Sequence, residues 1–278
     1  MQRVSRELTF GQFSADLSPV REVEPGEWVV VETWDCFGGE TLAGKHPSEV
    51  TPGVANPATG PIRLRGLGPG QVLCCTIADI TVGPRGFVGT RESTRFIDIV
   101  DGFAVFSDRL KLPLTPMSGV IGVAPAEGSV KATWPGPHGG NLDTIDVKPG
   151  SRVFLRAQVE GGLVGLGDVH ACQGDGEVAG QGIEIPAEVL LRLDIAPDPL
   201  PVQNPYVIVD GHLSVIASAP TFEECIHAAI EDMIRVLSHR MDLSGDDARK
   251  LISLAGHVRI SQIVNPLMTA RVVMPILW

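Results

Sequence analysis

The sequence predicts a mostly β protein, a β-rich α+β fold in which sandwich-like or barrel-like sheets are followed by a C-terminal helical hairpin. Turn-forming residues are abundant, with 32 glycines and 22 prolines in 278 residues, which is above average usage. Pro-Gly pairs at 25–26, 69–70 and 149–150 each precede a short apolar run, as expected where a turn leads into a strand. Apolar residues at helical spacing are clear only in the last third of the chain.

The first two thirds of the chain contain most of the predicted strands. Residues 7–51 are predicted to be mainly β, and further strands are expected over 28–31, 72–80, 153–159, 163–166 and 187–195. Gly161-Gly162 separates two of these runs, which predicts a hairpin formed by 153–159 and 163–166. Residues 85–108 are polar and predict a loop that lies over the surface or at a subunit contact, whereas the proline-containing stretch 112–126 predicts extended chain.

The C-terminal third is predicted to contain the helices. Residues 196–201 include three prolines and predict a linker, so a sub-boundary at 196–205 is possible within a single domain of residues 1–278. Asp210-Gly211 predicts a tight hairpin between strands at 206–210 and 213–218. A capping box at 221–224 begins an amphipathic helix, a second helix runs from Ser244 to Gly256, and strands at 258–264 and 270–276 end the chain.

Composition and charge exclude several classes of partner. The formal net charge is −11, which argues against a nucleic-acid or anionic-membrane surface. The chain shows neither an apolar run long enough for a membrane span nor an N-terminal signal core, so a cytoplasmic location is expected. The five cysteines lack a CxxC pair and are expected to be reduced, with Cys74 and Cys75 in the core. The hydrophobic content of 44% and the apolar C-terminus predict a homo-oligomer.

Polar residues with catalytic potential are concentrated between residues 134 and 184. They form three glycine-bounded clusters, at 137–143, 167–177 and 182–184. The predicted hairpin would bring His138 and Asp143 close to Asp168 and His170. Asp168 and His170 are two residues apart, which on extended chain places both side chains on one face.

Imidazole and carboxylate groups are the ligands expected for zinc or another transition metal. We therefore expect a divalent metal, with His138, Asp143, Asp168 and His170 as its candidate ligands, although Gly, Asp and Asn are also ordinary turn residues. Calcium is possible because it binds acidic turns, but it prefers oxygen ligands over the two imidazoles. Turn chemistry alone leaves open whether Asp35, Glu40 or His46 joins this site.

Several long motifs resemble the acetamidase/formamidase family. The central stretch 134–193 contains PHGGNLD and GDVHACQGDGE, and GIEIPAEVLLRLDI continues from it to residue 195; outer segments at 24–39, 56–61 and 254–266 are also similar to that family. The resemblance thus covers nearly the whole chain. His257 and Asn265 depart from it, because acidic residues are expected at both positions.

The resemblance implies hydrolysis of a small linear amide to a carboxylic acid and ammonia. Such a reaction needs an activated water, stabilisation of the oxyanion and an acid for the departing amine. Glu184 is the candidate general base and later proton donor, with Glu177 as the second choice. Glu184 lies between two isoleucines and is expected to be buried on a strand. Asn141, Gly140 and Asp35 are the candidate substrate-binding residues.

Two alternatives to a metal-dependent amidase remain open from the residues. Cys172 is the only cysteine within the central motif and Lys148 is the lysine close to it, so the pair could serve covalent amidase chemistry. A non-catalytic β-rich module that binds calcium in its acidic turns is the other alternative.

Overall fold

Strands dominate the protein, which confirms the predicted fold class. The structure is a computed structural model that describes residues 1–51, 55–89 and 93–278. The first eleven strands are β1 (Gln2–Val4), β2 (Thr9–Phe10), β3 (Gln12–Ser14), β4 (Arg21–Val23), β5 (Trp28–Thr33), β6 (Ala58–Leu64), β7 (Val72–Val82), β8 (Arg85–Gly89), β9 (Thr94–Val100), β10 (Phe103–Ser107) and β11 (Leu110–Pro113). The remaining elements are β12 (Met117–Gly122), β13 (Ser129–Lys131), β14 (Gly139–Asn141), β15 (Arg152–Arg156), β16 (Val164–His170), β17 (Ala187–Ile195), β18 (Tyr206–Val209), β19 (His212–Ala219), α1 (Phe222–Met241), α2 (Gly245–Ala255), β20 (His257–Gln262) and β21 (Met268–Pro275).

These strands form two large sheets and two smaller ones. The nine-stranded sheet has the order β1-β5-β17-β7-β15-β18-β19-β21-β20. A second sheet has the order β14-β12-β16-β6-β2, with β4 paired beside β6. The small sheet has the order β11-β10-β9-β8, and β13 pairs with β3. Non-consecutive neighbours such as β5, β17 and β7 show that long-range pairing builds both large sheets.

The nine-stranded sheet is covered on both of its faces. Along β7, Cys75 is buried in the core shared with the second sheet, and Cys74 is buried in the core beneath the helices. Both cysteines thus have the core role that the sequence predicts. In β17, burial alternates from Ala187 to Leu193, as a strand with one face in that central core requires.

The predicted helical hairpin is confirmed, together with the start of the first helix and both ends of the second. Thr221 caps α1 through a complete capping box, and the hydroxyl of Ser244 accepts from the N–H of Asp247 at the start of α2. Helix α1 packs on β19 and β21. Within the part of the chain that the structure describes, neither helix is long and apolar enough to cross a membrane.

The hairpin predicted for 153–159 and 163–166 is wrong. Strand β15 pairs with β7 and β18 in the nine-stranded sheet, whereas β16 pairs with β12 and β6 in the second sheet. Between them the chain crosses from one sheet to the other, and the N–H of Gly161 donates to the carbonyl of Leu67 instead of closing a hairpin turn. Both runs are apolar because each strand lies in the protein interior. The two strands of a buried hairpin would show the same apolar runs, so the sequence pattern does not distinguish a hairpin from strands in different sheets.

The prediction of a loop over 85–108 is also wrong. This segment forms β8, β9 and β10 of the small sheet, apart from residues 90–92, which lie outside the described residues. Ile97 and Ala104 are buried, whereas most neighbouring positions are exposed, apolar Phe96 and Phe103 among them. Asp101 and Gly102 both have positive φ and turn β9 into β10, which is the Asp-Gly hairpin signal.

The proline-rich segment 196–201 contains no regular secondary structure. The strands on its two sides, β17 and β18, belong to the same nine-stranded sheet. The single domain over residues 1–278, with its possible sub-boundary, stays a prediction. The hairpin of β18 and β19 is confirmed, with Asp210 and Gly211 both at positive φ.

Candidate active site

Asp168 and His170 lie at the end of β16, in the middle of the second sheet. Both side chains are buried, and Asp168 Oδ1 lies 3.6 Å from His170 Nε2. Strand β12 beside them carries Gly119, where a Cβ atom would lie 2.4 Å from Asp143 Oδ1 and 3.0 Å from Asp168 Oδ2. Only a glycine therefore permits the two carboxylates to approach each other across β12.

Asp143 reaches this point from the turn that follows β14. Its N–H donates to the carbonyl of Gly119, and its Oδ2 accepts from Asn265 Nδ2 at 2.6 Å. The same amide donates to the carbonyl of Asn141 at 3.0 Å, while Asn141 Nδ2 donates to Asn265 Oδ1 at 3.1 Å. Asn265 therefore fixes the relative positions of Asn141 and Asp143. In the sequence, Asn265 is notable only as a departure from the family pattern.

The hydrogen bond at Nδ1 of His170 leaves Nε2 as the ring nitrogen that can act as a ligand. Gln173 Nε2 donates to the carbonyl of Asp143 at 2.8 Å, which fixes the orientation of the Gln173 amide. Gln173 Oε1 consequently faces His170 Nδ1 at 2.8 Å and must accept its proton. In the neutral ring the lone pair is then on Nε2. A hydrogen bond of this kind to the other ring nitrogen is typical of metal-binding histidines.

Glu184 joins the small sheet to the second sheet. It forms isolated bridges with both Phe87 and His170, so the predicted burial on extended chain is confirmed. Its Oε1 lies 3.0 Å from His170 Nε2, and its Oε2 has no hydrogen-bond partner. Glu177 approaches from the turn after residue 174, and its Oε2 is also buried without a partner.

The backbone at three of these acids is strained. Asp143, Asp168 and Glu177 all have positive φ, at 43°, 53° and 46°, a region that residues other than glycine seldom occupy. Such conformations persist where the surrounding structure enforces them, and they are concentrated at functional sites. The convergence of three such residues on one cavity marks this region as functional.

Burial and mutual repulsion dominate the electrostatics of the site. Burial raises the pKa values of Glu177, Glu184 and Asp143, and nearby carboxylates add to the shift at each of them. Burial lowers the pKa of His170, but Glu184 and Asp168 outweigh it and raise that pKa overall. The residues that line the cavity include no lysine or arginine within the described chain. Protons or a metal cation must therefore balance these acids.

The donor atoms form three overlapping sets that could hold a metal ion. Within each set the donor atoms lie within 4.8 Å of one another, and the sets are Asp143/Asp168/His170, His170/Glu177/Glu184 and Cys36/Asp168/Glu184. Unpartnered buried oxygens on Asp143, Asp168, Glu177 and Glu184 accompany His170 Nε2, which lies 3.0 Å from Glu184 Oε1. This mixture of oxygen and nitrogen donors fits a transition metal. The cavity beside them has a volume of about 190 Å³.

Comparison with known proteins identifies the family. The sequence profile of the Acetamidase/Formamidase family matches residues 124–276. This chain belongs to that family. The crystal structure of an acetamidase from Bacillus halodurans has 38% sequence identity and a TM-score of 0.94, over 98% of this chain and 96% of that one. A predicted acetamidase/formamidase from Thermoanaerobacter tengcongensis has 36% identity and a TM-score of 0.95, over 99% and 95% of the two chains.

A curated formamidase from Methylophilus methylotrophus is 33% identical over 108 residues. That alignment covers 34% of this chain and 26% of the formamidase. This member of the acetamidase/formamidase family thus spans only about a quarter of that relative's length.

Other predicted site residues in this acetamidase/formamidase family member lie outside the donor sets. His138 is buried against Phe13, with the ring centroids 5.5 Å apart, and burial lowers its pKa to about 4. Gly140 lies within β14 and pairs with Ile121. Glu40 binds Lys45 and Thr51, and the His46 side chain caps a short 3₁₀ turn.

Asp35 is buried but shapes a turn. Its Oδ1 accepts the N–H groups of Phe37 and Gly39, while Cys36 and Phe37 line the cavity. Neither Cys36 nor Gln173 was among the predicted site residues. A cysteine in a glycine turn and a glutamine after a strand carry no chemical signal until their spatial neighbours are known.

The alternative nucleophile pair receives no support. Lys148 Nζ pairs with Asp210 Oδ2 at 2.6 Å, and Cys172 Sγ donates to the carbonyl of Pro113 at 3.3 Å. Among the described residues, no hydrogen bond or ion pair joins Cys172 to Lys148. The free nitrogen of His170 likewise disfavours the calcium-binding alternative.

Proposed function

We propose that this chain hydrolyses a small linear amide, of the formamide or acetamide class, to the carboxylic acid and ammonia. The observation that carries the proposal is the buried set of four carboxylates and one free imidazole nitrogen around a small cavity, in a member of the acetamidase/formamidase family. Typical ligand pockets measure about 300–1,000 Å³. The volume of about 190 Å³ therefore selects the smallest amides.

The metal would be held by Asp143, Asp168 and His170, and zinc is the ion that this donor set favours. When bound, a divalent ion lowers the pKa of water and polarises a carbonyl group. Asp143 is oriented for this role by Asn265, and His170 by Gln173.

Glu184 would accept the proton of the attacking water at its unpartnered Oε2 and later deliver it to the departing nitrogen. Glu177, whose Oε2 is also unpartnered, is the second candidate for that role. Asn141 Oδ1 is buried without a partner, and Asn141 lines the cavity. It can accept a hydrogen bond from the substrate's amide N–H.

Ammonia release tests the reaction, with formamide, acetamide and a cyclic amide compared side by side. The linear amides should be hydrolysed, exhaustive chelation should abolish the activity, and zinc should restore it better than calcium. Asp168→Asn should lose bound metal, whereas Asp108→Asn, at an exposed position, serves as the matched control. Full activity in rigorously metal-free protein would remove the metal from the proposal, and inactivity towards every small amide would refute the reaction.

We also propose that the chain forms a homo-oligomer through the exposed face of the small sheet. Phe96, Val100 and Phe103 are 42%, 44% and 42% exposed on one face of strands β9 and β10, and such apolar patches mark interaction surfaces. Light scattering at the working concentration tests this, and a monomeric mass would contradict it.

A further inference from the structure

We infer that the aromatic ring of Phe37 determines which amides fit the cavity, because it limits the acyl group to one or two carbons. This inference rests on the proposed function, since it concerns the substrate of the same site. Phe37 lies on the turn after β5 and lines the cavity beside the acids. Its side chain is half-buried, so part of the ring is available to a bound molecule.

The lining of the cavity offers few contacts to an apolar group. Most of its side chains are carboxylic acids or amides, and the apolar side chains among the described lining residues are those of Cys36, Phe37 and Pro266. Pro266 is exposed, and Cys36 Sγ accepts a hydrogen bond from Gln181 Nε2 at 3.5 Å. The acyl group is the apolar part of an aliphatic amide, so its most favourable contact is with the ring of Phe37.

An outer pocket adjoins the cavity on the side of Phe37. The pocket has a volume of about 590 Å³, and Pro47, Ala179 and Val264 are among its lining residues. Four residues line both the pocket and the cavity and therefore form the boundary between them: Phe37, Gly180, Gln181 and Asn265. A longer acyl chain would have to cross this boundary, and beyond it the chain would meet apolar walls.

Phe37 is the only boundary residue with an apolar side chain. Gly180 has no side chain, and the amides of Gln181 and Asn265 are held by hydrogen bonds of 2.9 and 2.6 Å. These bonds make the two amides fixed parts of the wall. The ring of Phe37 is therefore the part of the boundary that an apolar chain meets, and its size can change without loss of a side-chain hydrogen bond.

Neighbouring residues fix the position of the Phe37 ring relative to the proposed base. The ring stacks on that of Phe87, with the centroids 5.9 Å apart and the planes at 11°. Phe87 is fully buried, and its backbone exchanges two hydrogen bonds with Glu184, at 3.0 and 2.8 Å. Asp35 Oδ1 accepts the N–H of Phe37 at 2.8 Å. A closely packed wall discriminates by size because it yields little to a longer chain.

The dependence of kcat/KM on acyl length tests the inference on the full chain, with formamide, acetamide, propionamide and butyramide as substrates. One methylene group in a confined pocket changes kcat/KM by about 10–200-fold. The wild type should therefore hydrolyse butyramide at least about tenfold less efficiently than acetamide. Phe37→Ala should raise the ratio of kcat/KM for butyramide to that for formamide by about tenfold or more, because the chain then reaches the outer pocket.

Two further variants complete the experiment. Phe37→Leu keeps an apolar side chain over Phe87 and should raise the same ratio by a smaller factor. Phe106→Ala is the matched control, because Phe106 is 37% exposed and lines a neighbouring pocket but not the cavity. It should leave the ratio unchanged, and a rise in this variant instead of the Phe37 variants would place the acyl chain in that other pocket and overturn the inference.

An unchanged ratio in the folded Phe37 variants would also overturn the inference, since a purely structural role would lower the turnover of all four amides alike. The same holds for a wild type that hydrolyses butyramide as efficiently as formamide, a measurement that does not depend on the folding of any variant. In each of these cases hydrolysis of formamide would leave the proposed function intact. Turnover of none of the amides by the wild type would instead refute the proposed function, and this inference with it.

Discussion

The buried guanidinium of Arg271 connects two loops that carry acids of the candidate site. Its side chain is fully buried, with Nε donating to Asp146 Oδ2 at 2.9 Å and Nη2 donating to Asp175 Oδ1 at 2.7 Å. Nη1 donates to Ser261 Oγ at 3.1 Å. Asp146 lies three residues after Asp143, and Asp175 lies two residues before Glu177. Replacement of Arg271 should therefore reduce both stability and activity.

The expected cost follows from the burial of the pair. Removal of one partner of a buried ion pair costs about 3–5 kcal/mol. The side chains of Asp146 and Asp175 are 18% and 32% exposed, so water partly stabilises these carboxylates once the guanidinium is removed. We therefore expect Arg271→Met to lower the free energy of unfolding by about 3 kcal/mol. Arg271→Lys keeps the charge but not the fork that donates to both acids, so its loss should be intermediate.

Chemical denaturation at neutral pH measures these differences. Arg249→Met is the matched control, because the Arg249–Glu231 pair is about half exposed on both sides and should contribute less than about 1 kcal/mol. A loss below about 1 kcal/mol for Arg271→Met would refute the argument that the buried fork stabilises the loops. Normal turnover in that variant would refute the link to Asp143 and Glu177.

Two further predictions concern Glu184 and His138. Glu184→Gln should keep the fold and bound metal while turnover falls by about 10²–10⁴; near-normal turnover and metal content would exclude both a proton-transfer and a ligand role. Burial lowers the pKa of His138 to about 4. On acidification the imidazole is therefore protonated in the unfolded chain before it is protonated in the folded one. The free energy of unfolding should consequently fall between pH 6.5 and about 4. Over that range the free energy of unfolding of the wild type should fall by up to about 1.4 kcal/mol per pH unit more than that of His138→Gln. Chemical denaturation at several pH values measures this, and the same pH dependence in both proteins would contradict the prediction.

Local sequence signals correctly predicted the strands, turns and helices whose formation depends mainly on residues close together in the sequence. The extent of β17, the Asp210-Gly211 turn, the start of α1 and both ends of α2 follow from alternation, turn chemistry and capping, and all of them occur in the structure. The same signals could not tell a hairpin from two strands in different sheets at 153–166. Pairing partners depend on long-range register, which apolar runs do not specify.

The candidate site also depends on long-range contacts that local sequence does not specify. Asp143, Asp168, His170, Glu177 and Glu184 could be named as candidate site residues because each lies in one of the glycine-bounded clusters between residues 137 and 184. Their convergence was predicted through a hairpin that does not exist; instead β12 lies between β14 and β16 and brings Asp143 to Asp168. Cys36, Asn56 and Asn265 come from distant segments, and only the folded structure shows that they contact these acids.

The strained backbone and the unpartnered buried oxygens of the site are energetically unfavourable, and neighbouring side chains stabilise them. Positive φ at Asp143, Asp168 and Glu177, together with several unpartnered buried oxygens, would favour collapse or rearrangement of an isolated loop. The amide of Asn265 and the guanidinium of Arg271 hold the segments around Asp143 and Glu177 in place. Because these contacts leave Asp143 Oδ1 and Glu177 Oε2 free, the support stabilises the strained conformation without consuming the donors that a metal would bind.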